Sequence, residues 1–282
     1  MACKDTKNKS RCQVFGHLKV FICKKAHGLP EKTYLCVPIM SKGTFTFKKF
    51  AVHHARSSMP VGTDAVLLGS WTAMEHCAHI AGIRILDIGS GCGLLALMAA
   101  QRRPSAYVLG IDVDAPSVEE ARENSASSPF AARTAFLLAD VRDFSLAAEH
   151  RDAFSLILCN PPYYTEDVLP PDLRRRIARN AGHLGFAELL EAVCLLLADE
   201  GVFSVVIPMQ ARETFVSEAM SRRLYLRREC RVQTVPGKSP KRVLMEFCKG
   251  QCGEIRPESL VLQDADGHRT AEYTRLCGDY YL

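Results

Sequence analysis

Short apolar runs alternate with stretches of helical spacing from about residue 83 to residue 247. Ile83-Arg84-Ile85-Leu86-Asp87-Ile88, Ala106-Tyr107-Val108-Leu109-Gly110-Ile111, Thr134-Ala135-Phe136-Leu137-Leu138, residues 154–159 and residues 202–208 each read as a short buried strand bounded by turn residues. Between them, residues 94–100 read as a helix, and so does the run from Pro116. Residues 186–199 carry Leu189, Leu190, Val193, Leu196 and Leu197 at helical spacing, with Gly201 as a stop, and residues 211–223 form a further helix. Residues 224–235 and 242–247 read as two more strands joined by Pro236-Gly237-Lys238-Ser239-Pro240. This alternation predicts a doubly wound α/β fold, a mostly parallel, Rossmann-like sheet of seven strands closed by an antiparallel hairpin. No run reaches the roughly 18 apolar residues of a membrane span.

The strand ends carry the chemistry. Gly89-Ser90-Gly91-Cys92-Gly93 lies between the first of these strands and its helix, the context of a nucleotide-type cofactor loop. Its spacing is G-x-G-x-G rather than the dinucleotide G-x-G-x-x-G, and Asp87 stands two residues before the first glycine. That points away from a pyrophosphate and toward S-adenosylmethionine, whose ammonium a carboxylate can hold directly or through water. Asp112, at the end of the second strand, is placed to accept both ribose hydroxyls. Asp114 is its rival, but the helix beginning near Pro116 favours Asp112. Asp140, closing the third strand, is placed to accept the cofactor's adenine amino group.

The fourth strand runs into Asn160-Pro161-Pro162-Tyr163. A planar amino group is a poor nucleophile because its lone pair is delocalised. The Asn160 side-chain oxygen and the Pro161 carbonyl can both accept its N–H hydrogens and drive the nitrogen toward a tetrahedral, nucleophilic form. The prolines fix φ, so these acceptors need little reorganisation as charge develops. Tyr163 can stack on the planar group.

Charge divides the chain. The first 39 residues hold Lys4, Lys7, Lys9, Arg11, Lys19, Lys24, Lys25 and Lys32 against Asp5 and Glu31, a net of +6. With +5 overall, residues 40–282 carry −1, so net charge gives no argument for nucleic acid. The leader lacks a secretory apolar stretch. We read residues 1–39 as an upstream extension from a misassigned start, with Met40 a natural beginning. Residues 40–282 then form the enzyme, with a cofactor-closing segment at 40–82 and a tail at 249–282. Of the 12 cysteines, four are in the leader, and the other eight are scattered without zinc-site pairing. Cys248 and Cys252 come nearest, and no metal is expected. Such thiols fit a reducing cytoplasm.

Basic residues do gather locally. Arg174, Arg175, Arg176 and Arg179 follow the Asn-Pro-Pro-Tyr motif. Arg222, Arg223, Arg227, Arg228 and Arg231 surround the start of the hairpin, and Lys238, Lys241 and Arg242 lie in or beside its turn. If these groups flank one mouth, they form a positive rim that grips phosphates.

Residues 45–50 (Phe-Thr-Phe-Lys-Lys-Phe) and 59–71 (Met-Pro-Val-Gly-Thr-Asp-Ala-Val-Leu-Leu-Gly-Ser-Trp) complete a pattern. With the glycine loop, the Asn-Pro-Pro-Tyr motif and the tail Asp279-Tyr280-Tyr281-Leu282, they closely resemble the bacterial tRNA(Val) adenine-N6 methyltransferases. The resemblance runs from about Met40 to the end. It implies a class I S-adenosylmethionine-dependent enzyme of the cytoplasm that methylates the adenine beside the anticodon, at position 37, with tRNA as partner. It also makes Thr63 and Asp64 candidate cofactor contacts. One departure is Pro60, where such sequences usually carry a basic residue. Methylation of a protein glutamine amide, as in release-factor methyltransferases, would use the same motif. That family's helical N-terminal domain of some 70 residues is not evident here. A non-catalytic module holding tRNA or cofactor is the alternative of another class.

Overall fold

The computed structural model describes residues 43–74, 82–161, 184–250, 253, 255 and 257–281, together with the backbone of 11–15 and 18–22. The chain divides into two units, Met1–Lys42 and Gly43–Leu282. In the first, β1 (Arg11–Phe15) pairs antiparallel with β2 (Leu18–Ile22).

The second unit holds an antiparallel pair, β3 (Thr44–Thr46) with β4 (Ala51–His53), and one large sheet. The sheet's strands are β5 (Arg84–Ile88), β6 (Tyr107–Asp112), β7 (Thr134–Leu138), β8 (Phe154–Cys159), β9 (Leu197–Pro208), β10 (Tyr225–Gln233), β11 (Arg242–Cys248) and β12 (Glu258–Val261). Their order is β12-β10-β11-β9-β8-β5-β6-β7. Only β11 runs against the others, because it pairs antiparallel with both β9 and β10. The doubly wound reading holds, with eight strands rather than seven. The added strand is β12, from the tail, which pairs parallel with β10. A four-residue edge strand in which only Leu260 is buried carries little sequence signal of its own.

The helices are α1 (Thr63–Trp71), α2 (Leu94–Arg102), α3 (Ala115–Ala126), α4 (Val141–Phe144), α5 (Phe186–Leu196), α6 (Arg212–Ser221) and α7 (Ala271–Leu276). Alternate strand residues feed opposite faces of the sheet. Ile85, Val108, Leu156, Leu158 and Val206 pack in one core with residues of α1, α2 and α3, while Leu86, Ile157, Phe203, Val205 and Met245 pack in another with residues of α4, α5 and α6. Strand β8 is buried along its whole length, as expected for a central parallel strand.

Two boundaries moved. The helix expected to reach Asp199 ends at Leu196, because Leu197 already pairs with Phe154 before a register shift on β8. Gly201 therefore lies within β9, where a Cβ would come 2.7 Å from Leu197 Cδ1 and 2.9 Å from the Ala198 carbonyl oxygen. Helix α1 was not anticipated at all. Its residues from Ala65 to Trp71 are all buried, so no polar face marks a period of 3.6.

Candidate active site

The direction of winding reverses between the parallel neighbours β5 and β8: the connection from β5 leads to β6 on one side, while β8 leads to β9 on the other. A crevice at the carboxyl ends of the strands is expected at such a point. A cleft of about 420 Å³ lies there, walled by Gly89–Cys92 after β5, Asp112–Asp114 after β6, Ala139–Arg142 after β7 and Asn160 and Pro161 after β8. This is the size of a small-molecule site.

The glycine loop takes its shape from three positive φ angles, +69° at Gly89, +52° at Gly91 and +84° at Gly93. The N–H groups of Gly89 and Ser90 both donate to the Ile111 carbonyl, at 2.9 and 3.0 Å, tying the loop to the end of β6. A side chain on Gly89 would meet nothing within 4 Å, so this backbone faces open space that a ligand can use. Gly93 is not part of the cleft wall. It is the N-cap of α2, and a Cβ there would lie 2.9 Å from the Phe136 ring.

Gly93 has no side chain with which to cap α2. Asp87 does so instead, its Oδ2 accepting from Ala96 N at 3.0 Å in the first turn. Asp87 is wholly buried beneath the loop rather than on the cleft wall, and its Oδ1 has no hydrogen-bond partner. Burial pushes its carboxyl from 3.8 up to about 7, against the Ala96 hydrogen bond and with a further rise from the Asp112 charge.

Asp112 accepts from Gly91 N at 2.8 Å through Oδ2 and from Asp114 N at 2.9 Å through Oδ1. Asp114 is the N-cap of α3, its Oδ2 accepting from the Ser117 backbone N–H at 3.1 Å and hydroxyl at 2.5 Å. Asp140 lines the cleft and N-caps α4. Its two oxygens accept from Arg142 Nε at 2.9 Å and from the guanidinium's terminal nitrogen at 2.5 Å, and these bonds hold its carboxyl below the usual range. Arg142 also reaches Glu188 Oε1 at 3.3 Å, and Glu188 Oε2 accepts from Gly185 N at 2.9 Å at the start of α5.

The remaining expected residues separate. Thr63 and Asp64 do not line the cleft; Ser58–Gly62 and Ala65 do. Asp64 is turned to Arg242, whose Nε donates to Asp64 Oδ2 at 2.8 Å, so one candidate cofactor contact and one candidate RNA contact are partners of each other. Lys238, Lys241 and Arg242 stand on the cleft edge of the sheet, because Arg242 pairs with Pro208 at the carboxyl end of β9. Arg222, Arg223 and Arg227 lie toward the opposite edge, where Tyr225 pairs with Cys248, so they do not share that mouth. Arg228 is bonded to Glu258, and Arg231 to Glu229. Pro162, Tyr163, Arg174, Arg175, Arg176 and Arg179 lie outside the described residues.

Sequence reasoning missed Glu120 and Asn124. Both are buried on α3; Asn124 bonds the backbone of His53 at the end of β4, and Glu120 bonds the backbone that follows it toward the cleft wall. In the sequence they are two polar residues of a polar helix, which gives no sign of burial.

Comparison with known proteins fits this geometry. Residues 62–185 match the methyltransferase small domain. The tRNA1(Val) (adenine(37)-N6)-methyltransferase of Bacteroides fragilis (strain YCH46) is 41% identical over 245 residues, covering 86% of this chain and 99% of that protein. The protein of the same name from Vibrio campbellii is 38% identical over 244 residues, covering 86% and 97%. Among solved structures, a predicted O-methyltransferase of Agrobacterium tumefaciens shares the fold at a TM-score of 0.61 and 22% identity, covering 77% of this chain and 96% of that one. With a cleft at the switch point, a glycine loop and an Asn-Pro strand end, and with this likeness over nearly the whole of its relatives, the chain belongs to the tRNA1(Val) (adenine(37)-N6)-methyltransferase family.

Proposed function

We propose that the protein methylates the exocyclic N6 of adenine 37 in the anticodon loop of a valine tRNA, with S-adenosylmethionine as methyl donor, in the cytoplasm. The observation that carries this reading is that Asn160 and Pro161 share one cleft with the glycine loop. The residues fit the donor. Gly89 leaves open space for close backbone approach, and Asp87 keeps a buried carboxylate oxygen without a partner beneath the loop, where an ammonium would be favoured. Asp112 retains lone pairs on both oxygens for the ribose hydroxyls, whereas the Asp114 oxygen that caps α3 already accepts two bonds, which favours Asp112. Asp140, oriented by Arg142, can accept from the donor's adenine.

When bound, the donor supplies an electrophilic methyl group. Asn160 and the Pro161 carbonyl then accept from the target amino group and aim its lone pair, and Tyr163 stacks on the target base. No general base is needed before transfer, because the proton can leave afterwards. Positioning and charge stabilisation supply most of the acceleration. Lys238 and Lys241, with Arg174, Arg175, Arg176 and Arg179, are the proposed phosphate contacts.

The test is purified protein with labelled S-adenosylmethionine and undermodified bulk tRNA, followed by nucleoside mass spectrometry. We expect N6-methyladenosine. Asn160→Ala should cut turnover by about two orders of magnitude, as for loss of one preorganised hydrogen-bonding group, with cofactor affinity near normal. Labelling of a release factor but not of tRNA would replace this reading with glutamine methylation.

A further inference from the structure

We infer that Glu120 and Asn124 are positioning residues for the cofactor, clamping the strap of residues 53–57 against the glycine loop and so setting the cleft wall formed by residues 58–62. This rests on the cofactor reading proposed above.

Ser117, Glu120 and Asn124 recur at i, i+3 and i+7 on α3 and therefore share one face of the helix. Their exposures are 0%, 2% and 0%. A buried carboxylate is costly unless its oxygens are satisfied. Those of Glu120 are satisfied by three consecutive backbone N–H groups: Ala55 at 2.9 Å, Arg56 at 3.1 and 3.2 Å to the two oxygens, and Ser57 at 2.9 Å. Strand β4 ends at His53, so the large sheet and the β3–β4 pair give these amides no ladder partner, and the carboxylate takes that place. The Arg56 guanidinium balances the charge, with ion-pair contacts to Glu119, Glu120 and Glu123.

Asn124 completes the clamp. Its Oδ1 accepts from His53 N at 2.8 Å, and its Nδ2 donates to the carbonyls of His53 at 2.8 Å and Cys92 at 2.9 Å. Cys92 belongs to the glycine loop, so one carboxamide holds strap and loop in register. The two then meet closely: a Cβ on Gly91 would lie 3.3 Å from Ser57 Oγ. Immediately after Ser57 the chain becomes the cleft wall, and Ser58 N is held by Ser117 Oγ at 3.3 Å. The reacting groups sit elsewhere, at the end of β8. Loosening the clamp should therefore weaken cofactor binding and leave chemistry at saturation nearly intact.

The test is Glu120→Gln, which keeps size but removes the charge and one acceptor oxygen. We expect Kd for S-adenosylhomocysteine and KM for S-adenosylmethionine to rise about tenfold, the loss of one charge-assisted hydrogen bond, while kcat at saturating cofactor stays within about threefold. Hydrogen exchange supplies a readout without turnover. In the cofactor-free wild type the amides of Ala55, Arg56 and Ser57 should exchange slowly, and those of Ser58, Met59 and Val61 should gain protection on adding S-adenosylhomocysteine. A lowered Tm with unchanged Kd would reduce Glu120 to a structural role and overturn the proposal, as would a kcat loss with unchanged Kd. If the variant does not fold, fast exchange of residues 55–57 in the cofactor-free wild type overturns it by itself. Wild type that binds no S-adenosylhomocysteine would reject the cofactor reading, a different failure.

Discussion

At Asp87 one buried carboxylate caps a helix and, under the reading proposed above, also serves a ligand's ammonium. Its Oδ2 is held by the first turn of α2, its Oδ1 is unpartnered, and burial raises the carboxyl from 3.8 to about 7. Between these values the native state holds the proton that the unfolded chain has lost. Stability of the cofactor-free protein should therefore be greatest below about pH 4 from this group and fall as pH rises to 7. The effect is at most about 4 kcal/mol. A ligand ammonium reverses the preference, because it favours the ionised form. We expect affinity for S-adenosylhomocysteine to rise from pH 5.5 to 7 and then level, with proton release on binding at the lower pH. Calorimetry in two buffers of different ionisation heat checks this; equal affinity at pH 5.5 and 8 with no proton release would remove Asp87 from ligand binding. The buried Cys92 and Cys159 go the opposite way to reactive thiols, with burial pushing Cys92 up to about 12 and Cys159 well above 9.0. Both remain protonated near neutrality. The positions of Asp87, Asp112, Asp140 and Asn160 at or near strand ends were legible because an acid or amide closing an apolar strand stands out from its surroundings. Glu120 and Asn124 were not, because a buried polar face on a polar helix reads like a solvated one.

Between elements, close packing of β6, β7 and the glycine loop fixes the cleft floor. A Cβ on Gly110 in β6 would come 2.5 and 2.6 Å from the Phe136 ring and 2.9 Å from Ser90 Cβ. Gly110→Ala should therefore destabilise the fold by about 1–3 kcal/mol, as overpacking does, and weaken cofactor binding through Ser90. Phe136→Leu in the same chain should recover part of the stability, and urea unfolding of the two single variants and the double variant measures that coupling. Additive losses would mean that the ring already yields to the added methyl. The hairpin turn offers a second check. Lys238 and Lys241 are exposed, form no ion pair among the described residues, and stand on the cleft edge. Replacing both with alanine should raise KM for tRNA several-fold and lessen the salt dependence of binding by about two charges, with no change in cofactor Kd. An unchanged salt slope would leave them as ordinary surface. Strands β5 to β8 and β11 were legible to within a residue because each apolar run is bounded by turn residues, whereas β9 begins at Leu197, ahead of its expected start at residue 202. Helix α1 lacked the contrast that makes a helix visible, and β12 was too short, with Leu260 alone buried.

Across the whole methyltransferase unit, the C-terminal segment is a structural member of the core. Tyr280 is 1% exposed, and its hydroxyl donates to the Met98 carbonyl at 3.1 Å, 182 residues away in sequence. Lys48 N donates to the Tyr280 carbonyl at 2.9 Å, Lys48 Nζ to the Gly278 carbonyl at 2.5 Å, and Tyr281 stacks on Phe47 with ring centroids 6.3 Å apart. The tail thus closes over the β3–β4 pair that leads into the strap, and it fastens that pair to the middle of α2. The sequence marked Asp279-Tyr280-Tyr281-Leu282 by resemblance alone; no local pattern could tell which distant carbonyl a tyrosine would reach. Two substitutions separate packing from the hydrogen bond. Tyr280→Phe keeps the ring and should cost about 1 kcal/mol, the net worth of one hydrogen bond. Tyr280→Ala empties the ring's site and should cost about 3–5 kcal/mol, as for a large core aromatic. If the tail holds the strap as well as the core, Tyr280→Ala should also speed amide exchange of residues 53–57 at a temperature where the rest of the unit stays protected. Exchange that quickens uniformly across the unit would mean that the tail supports the fold as a whole and has no particular hold on the cleft wall.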